Sequence, residues 1–222
     1  MNRLRTIIAF LTFLSPLLTY PDDGKGRVSN DRIGLYQVDL VCPAAPLIGC
    51  GSAAKPLLLQ LEHSTNVNEA WLNRAGTIIA VVWKEDASKK RAKTLASALG
   101  ERKALEVKGE ARQKTLREFL SGNGWFRGAD VDRLSEEEAG IIAGRLVRRI
   151  NKQIPLSAEK SKALEAGIST VIKRKLTSGE GENRSQLEEE ILEICRQHLN
   201  ENEIVILKKA REEGAFAHLR EE

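Results

Sequence analysis

The stretch VDLVCPAAPLIGCGSAAKPLLLQLEHS (residues 38–64) joins segments of different hydrophobic period. Its first residues belong to an alternating run in which Val38, Leu40 and Cys42 share one face, and this alternation predicts a half-buried strand. A proline-broken loop follows, and Cys50 stands just ahead of a leucine-rich segment that predicts a helix. One cysteine is thus expected at the end of the strand and another at the start of the helix.

The segments that follow continue this alternation of elements. Two apolar runs, residues 67–72 and 77–83, flank a turn, and the second is apolar on both faces, as in a central strand that is covered on both sides. ASKKRAKTLASALGER (residues 87–102) predicts a second helix, and KALEVKG (residues 103–109) predicts a short closing strand. Strand, helix, strand, strand, helix, strand is the order of a ferredoxin-like sandwich, predicted here over residues 34–109.

The rest of the chain, residues 110–222, has the spacing of helices. Apolar residues recur at helical period in several segments, which predict helical hairpins. Ser135 with Glu138 matches a capping box at the start of one helix, and Ser157 is the expected cap of the next. The predicted fold class is therefore α+β, with a ferredoxin-like sandwich followed by an all-α region.

The first twenty residues have the layout of a secretory leader. Arg3 and Arg5 precede the apolar run TIIAFLTFLSPLLT (residues 6–19), which is short for a membrane span of about 20 residues. Residues 1–20 are interpreted as a signal peptide or an uncleaved N-terminal anchor, and residues 21–33 as a polar linker. Both interpretations predict an exported protein, periplasmic or secreted, with membrane contact only if the leader is uncleaved.

The composition argues against several classes of partner. The formal net charge of +4 falls to +2 without Arg3 and Arg5, and aromatic residues make up only 5% of the chain, so no nucleic-acid partner is expected. No carboxylate pair, Ser/His/Asp set or phosphate-binding loop stands out, so nothing in the sequence points to an enzyme.

The placement of Cys42 and Cys50 resembles the heavy-metal-associated domain, the ferredoxin-like unit of metal chaperones and of the periplasmic mercuric-ion-binding protein. In that family one cysteine ends the first strand, another opens the first helix, and together they hold a soft metal ion. The downstream apolar spacing, including Leu58 and Leu61, is similar as well, over about residues 34–109. The resemblance implies a metal site at Cys42 and Cys50 that takes Cu, Hg or Zn. Seven residues separate the two thiols here, where the family has two.

Three interpretations of this cysteine pair stay open. Thiolates favour Cu(I), Hg(II) or Zn, and the start of a helix favours a thiolate, so Cys42 and Cys50 are candidate metal ligands. In an exported protein the same pair would instead form a static disulfide, which stabilises by roughly 2–3 kcal/mol, while the helical region binds a protein partner. The third interpretation is a redox-active pair that meets a thiol partner, although the spacing differs from Cys-x-x-Cys.

Two further features are candidates for function. Cys195 and His198 lie three residues apart on a predicted helix, but a cysteine packed in the core is favoured over a ligand there.

A ferredoxin-like sandwich leaves one face of its sheet open, and Trp71 is predicted on that face. The strand over residues 77–83 presents either Ile78 and Val82 or Ile79 and Trp83 to the same side, and Ile78 and Val82 are taken as the interface candidates. Because such apolar surface marks interfaces, we expect the C-terminal helices, a protein partner or a second copy of the chain to dock there.

Overall fold

The computed structural model of the protein describes residues 29–178 and 184–214, so the predicted leader and most of the predicted linker lie outside the described residues. The strands are β1 (Ile33–Gln37), β2 (Val41–Cys42), β3 (Ala45–Gly49), β4 (Val67–Asn73), β5 (Ile78–Trp83), β6 (Leu105–Glu106) and β7 (Trp125–Arg127). The α-helices are α1 (Gly51–His63), α2 (Arg91–Leu99), α3 (Gly109–Leu120), α4 (Asp132–Gln153), α5 (Ala158–Ser178), α6 (Arg184–His198) and α7 (Glu201–Glu212).

The centre of the fold is a five-stranded antiparallel sheet with the strand order β6-β1-β5-β4-β7. This sheet and the seven described helices confirm the α+β class. The central strand β5 is apolar on both faces, as predicted, because both faces are covered: Ile79, Val81 and Trp83 pack into one hydrophobic cluster, and Ala80 and Val82 pack into another.

The two faces of the sheet are covered by different helices. Helices α1 and α2 pack on one face, and α3 packs on the other. Val82 on the second face is buried, while Trp71 and Ile78 are half-buried. The rings of Trp71 and Phe119 of α3 meet edge to face, with centroids 6.1 Å apart. The face on which an interface was predicted is thus occupied by α3 of the same chain, and a further partner at Trp71 and Ile78 stays a prediction.

Two predictions from local sequence were wrong in this region. Residues 110–222 were predicted to be all-α, but Trp125 and Phe126 lie in β7, which pairs with β4 at the edge of the sheet. The capping box predicted from Ser135 and Glu138 does not form, because α4 already begins at Asp132 and both residues lie buried inside it. Packing of the first turn of α4 against the sheet domain overrides the local capping signal. The predicted cap at Ser157 is confirmed, since its hydroxyl accepts a hydrogen bond from the Lys160 N–H at 3.2 Å.

Helix α4 joins the two hydrophobic cores of the molecule. Leu134 near its start packs with the sheet domain, whereas Val147 and Ile150 pack with α5, α6 and α7. From α4 onward all the described elements are helices. None of the helices within residues 29–178 and 184–214 has the length and apolar content that a membrane span requires.

Candidate two-thiol site

The segment between β1 and α1 is a small two-stranded ribbon, β2–β3, where the sequence predicted a strand and an open loop. The ribbon is held to the β4–β5 turn by backbone hydrogen bonds, from Gly49 N to Arg74 O at 2.7 Å and from Leu40 N to Gly76 O at 2.9 Å. Gly76 has a φ of +73°, and a Cβ built on Gly49 would lie 2.9 Å from the Gly76 Cα. This close backbone approach requires glycine on both sides and fixes the ribbon on the sheet domain.

Cys42 ends β2 and is buried, with 1% of its surface exposed. Its thiol donates a hydrogen bond to Glu138 Oε1 at 2.9 Å, and its sulfur accepts one from the Ala45 N–H at 3.1 Å. Burial raises the pKa of the Cys42 thiol to about 12, and the hydrogen bond and negative charge of Glu138 act in the same direction. Cys42 is therefore a protonated thiol at neutral pH.

Cys50 is the N-cap residue of α1 and is partly exposed, so the two cysteines differ in access to solvent. The Cys50 backbone N–H donates to Leu40 O at 2.7 Å, which holds the start of α1 beside the strand that leads to Cys42. The Cys50 sulfur lies 3.3 Å from the Ser52 hydroxyl and 3.9 Å from Glu138 Oε1. Cys50 is thus the thiol that a reagent or ion reaches first.

Glu138 brings the two thiols to one point although it lies 96 residues beyond Cys42 in the chain. It is buried on α4, with 4% of its surface exposed, and its Oε1 lies within 4 Å of both sulfurs. Two turns further along the same helix, the Arg145 guanidinium donates to Ala44 O in the turn of the ribbon. Helix α4 therefore holds the ribbon with a carboxylate and a guanidinium.

No sequence pattern indicated that Glu138 belongs to this site, because its spacing from Ser135 matched a helix cap. The structure brings Cys42 and Cys50 together around its carboxylate, and no bond joins them: all three cysteines of the chain are free thiols. The static disulfide remains a prediction about the oxidised protein. In the described part of the chain, no group of three or more His, Cys, Asp and Glu side chains is arranged to hold a metal ion.

Cys195 lies apart from this pair in the core of the helical region. It is 1% exposed and packs in the cluster formed by α4 to α7, which agrees with the packed cysteine favoured from the sequence. Burial alone raises the pKa of its thiol to about 11. Neither Cys195 nor the half-buried His198 has a hydrogen-bonding side-chain partner among the described residues, so nothing there supports the alternative ligand pair.

Comparison of the chain with family models, with curated proteins and with solved structures found no match. The site consists of one accessible thiol at a helix N-cap, one buried thiol, and a buried carboxylate that contacts both.

Proposed function

We propose that the protein is an exported binding protein that handles a soft metal ion through the thiols of Cys42 and Cys50. The observation that carries the proposal is that both sulfurs lie within 4 Å of one carboxylate oxygen while remaining unbonded. Two thiolates suit the soft ions Cu(I) and Hg(II), and Zn(II) is the third candidate among thiolate-binding ions.

Capture of the ion follows the difference in access between the two thiols. Cys50 is partly exposed and meets the ion first, whereas Cys42 is buried and protonated. Coordination by Cys42 requires loss of its proton, and Glu138 Oε1 accepts the hydrogen bond of that thiol at 2.9 Å. The proton therefore has an acceptor in place when the second thiol closes on the ion, and affinity rises with pH.

The proposal extends to the fold: residues 34–109 form a ferredoxin-like unit that is similar to the heavy-metal-associated domain. The strand order β6-β1-β5-β4, with α1 and α2 on one face, is the arrangement expected of a ferredoxin-like unit and supports this assignment for residues 34–109. Cys50 at the N-cap of α1 supports the likeness to that family, whereas Cys42 departs from it because it lies in the ribbon strand β2 and not at the end of β1. Periplasmic or secreted location is proposed from the leader at residues 1–20.

A second candidate function is exchange with a thiol partner, and the exposed Leu47 favours it. Leu47 lies in β3, next to the site, with 82% of its surface exposed. An apolar side chain at this place offers a partner protein a contact beside Cys50. Cys50 attacks one sulfur of the partner's disulfide and the partner's other sulfur leaves as a thiolate. Cys42 then gives its proton to Glu138 and attacks Cys50, which releases the partner as a dithiol and leaves the site oxidised.

The direct test is titration of the reduced protein with Hg(II) or Cu(I) under argon, followed by thiolate-to-metal charge-transfer absorption. We expect one equivalent to bind. Loss of a residue that only supports a metal ligand typically weakens metal binding by roughly 10–100-fold. Because Cys42 and Cys50 are proposed as the ligands themselves, Cys42→Ser and Cys50→Ser are each expected to weaken binding by more than that.

The matched control is Cys195→Ala, which removes a buried thiol that lies outside the pair. This variant is expected to keep the stoichiometry and affinity of the unmodified protein. Full uptake by either serine variant, or loss of uptake in the Cys195 variant alone, would contradict the assignment of the site to Cys42 and Cys50.

A further inference from the structure

A cavity of about 590 Å³ lies between the cysteine ribbon and the helical region. Its wall is built from the ribbon and from helices α4, α5, α6 and α7, and its lining is mainly apolar. Ile142, Leu146, Ile172, Ile191 and Leu207 contribute to this lining from four different helices. The volume falls inside the range of about 300–1,000 Å³ that is usual for pockets that hold a small molecule.

The charged residues of the wall are distributed unevenly. Lys208 and Arg211 lie three residues apart on α7 and so face the same side of that helix. Arg211 is engaged by the Glu188 carboxylate across the cavity wall, whereas Lys208 has no hydrogen bond or ion pair with any residue in the described ranges. The other carboxylate of the wall, Glu138, lies at the ribbon and contacts both thiols. An anionic group in the cavity is therefore favoured near α7 and disfavoured near the ribbon.

We propose that this cavity binds a single-chain fatty acid, with the carboxylate at Lys208 and the hydrocarbon chain along the isoleucine and leucine side chains of α4, α5 and α6. The apolar lining supplies the binding free energy, and the lysine supplies the preference for an anionic head group. The volume suits one hydrocarbon chain better than the two of a membrane phospholipid. This function is distinct from metal handling, although Cys42, Cys50 and Glu138 line the end of the cavity at the ribbon.

The test uses the full chain after lipid extraction, with oleate as the probe and displacement of a fluorescent fatty acid as the readout. Leu146→Trp and Ile191→Trp fill the cavity from opposite helices and are expected to weaken oleate binding at least tenfold, with the thermal unfolding temperature measured alongside to show that each variant is folded. Ile206→Trp is the matched control, because Ile206 is exposed on α7 and does not line the cavity. Oleate affinity unchanged in both filled variants would overturn the proposal.

The head-group contact is tested by charge reversal at adjacent lysines. Lys208→Glu is expected to weaken oleate binding about tenfold and to leave oleyl alcohol binding unchanged, while Lys209→Glu, which lies outside the cavity, changes neither. An equal loss for the alcohol and the acid would overturn the head-group assignment. If the filled variants change only the oligomeric state by light scattering, the cavity is an interface between copies and the proposal fails.

A mercury titration of Ile191→Trp separates this proposal from the metal function. Ile191 lies on α6 and packs against the hydrophobic core of the helical region, whereas Cys42 and Cys50 belong to a separate cluster at the ribbon. Lost oleate binding with unchanged mercury uptake supports two separable binding functions. Lost mercury uptake with retained oleate binding would contradict the placement of oleate beside Ile191 and the separation of the two functions.

Discussion

Cys42 and Cys195 are equally buried, each with 1% of its surface exposed, yet their surroundings differ. Burial is the largest cause of the raised pKa at both thiols, to about 12 for Cys42 and about 11 for Cys195. Only Cys42 has a carboxylate within hydrogen-bond distance and a second thiol beside that carboxylate. Burial of a cysteine is ordinary packing, so the function of Cys42 is indicated by its polar neighbours and not by its burial.

The largest contrast is expected on oxidation. A mild oxidant such as diamide should join Cys42 to Cys50 within one chain and leave Cys195 as a free thiol, because only the first two sulfurs approach a common atom. Peptide mapping by mass spectrometry after alkylation measures this directly. The oxidised protein is expected to take up no mercury, and reduction is expected to restore uptake.

The outcome that would break the contrast is a disulfide that contains Cys195, whether within the chain or between chains. Cys42→Ser is the control, because this variant keeps Cys50 and Cys195 and should form no intramolecular disulfide under the same conditions.

Substitution of glycine should disturb the two thiol environments unequally. A Cβ on Gly51 would lie 2.3 Å from the Ser135 hydroxyl and 2.8 Å from Val131 O, so Gly51→Ala forces α4 away from α1 and should lower the free energy of unfolding by about 1–3 kcal/mol. The atoms nearest to a Cβ built on Gly167, near Cys195, belong to the Ile194 side chain, the closest at 2.6 Å, and not to the backbone. Gly167→Ala should therefore cost less.

Urea unfolding measures both glycine variants, and Gly140→Ala serves as the reference for an open helical position. No atom lies within 4 Å of a Cβ built on Gly140, so this change should stabilise by about 0.5–1 kcal/mol. A Gly51 variant as stable as the Gly140 variant would contradict the close packing of α4 on the start of α1.

Alkaline pH should weaken the fold through both buried thiols. Their pKa values are raised in the folded protein from the ordinary 9.0, so the stability they contribute is complete below pH 9 and is lost as pH rises towards about 11 for Cys195 and about 12 for Cys42. Each thiol should contribute a fall of about 1.4 kcal/mol per pH unit in that window. Urea unfolding between pH 9 and 11 should show a shallower fall in Cys42→Ala and in Cys195→Ala than in the unmodified protein.

Glu138→Gln sharpens this comparison because it acts on one thiol only. Loss of the carboxylate charge should lower the pKa of Cys42 while burial still holds it above the ordinary value, and the pKa of Cys195 should not change. Thiolate absorption during an alkaline titration measures the shift. Equal titration of the Glu138 variant and the unmodified protein would show that the carboxylate does not act on Cys42.

The smallest effect is expected at Leu47, in the middle of β3. Leu47→Asp changes a side chain that is 82% exposed, so the free energy of unfolding should change by no more than about 0.5 kcal/mol and mercury uptake should be unaffected. Exchange with a disulfide-bonded protein substrate should slow in this variant if Leu47 contacts the partner. A large loss of stability would instead show that Leu47 is packed in the folded protein.

The sequence predicted α1, β4, β5, α2 and β6 because local periodicity decides strands and helices there. Hydrophobic alternation predicted a single strand that ends at Cys42, but β1 ends at Gln37 and Cys42 lies in the separate strand β2. Leucine spacing correctly located α1 behind Cys50. The ribbon β2–β3 was missed because two prolines suggested an open loop. Pro43 lies in the turn of the ribbon and Pro46 in β3, which pairs with β2 alone among the described strands, so Pro46 is on an edge strand, where a missing N–H is tolerated.

Glu138 could not be identified from the sequence for a different reason. Its contact with Cys42 spans 96 residues and depends on how α4 packs against the sheet domain, which no local pattern encodes. Its spacing from Ser135 also matched a capping box, which is a plausible local explanation for a glutamate at this position. Long-range packing decided the candidate site, whereas local propensity decided most of the fold.

X-ray absorption at the mercury edge of the complex with one equivalent of Hg(II) tests most directly whether Cys42 and Cys50 act as one site. We expect two sulfur ligands in the unmodified protein and in Cys195→Ala, and one sulfur or none in Cys42→Ser. A spectrum with two sulfurs that persists in Cys42→Ser, or one with a single sulfur in the unmodified protein, would contradict the two-thiol site.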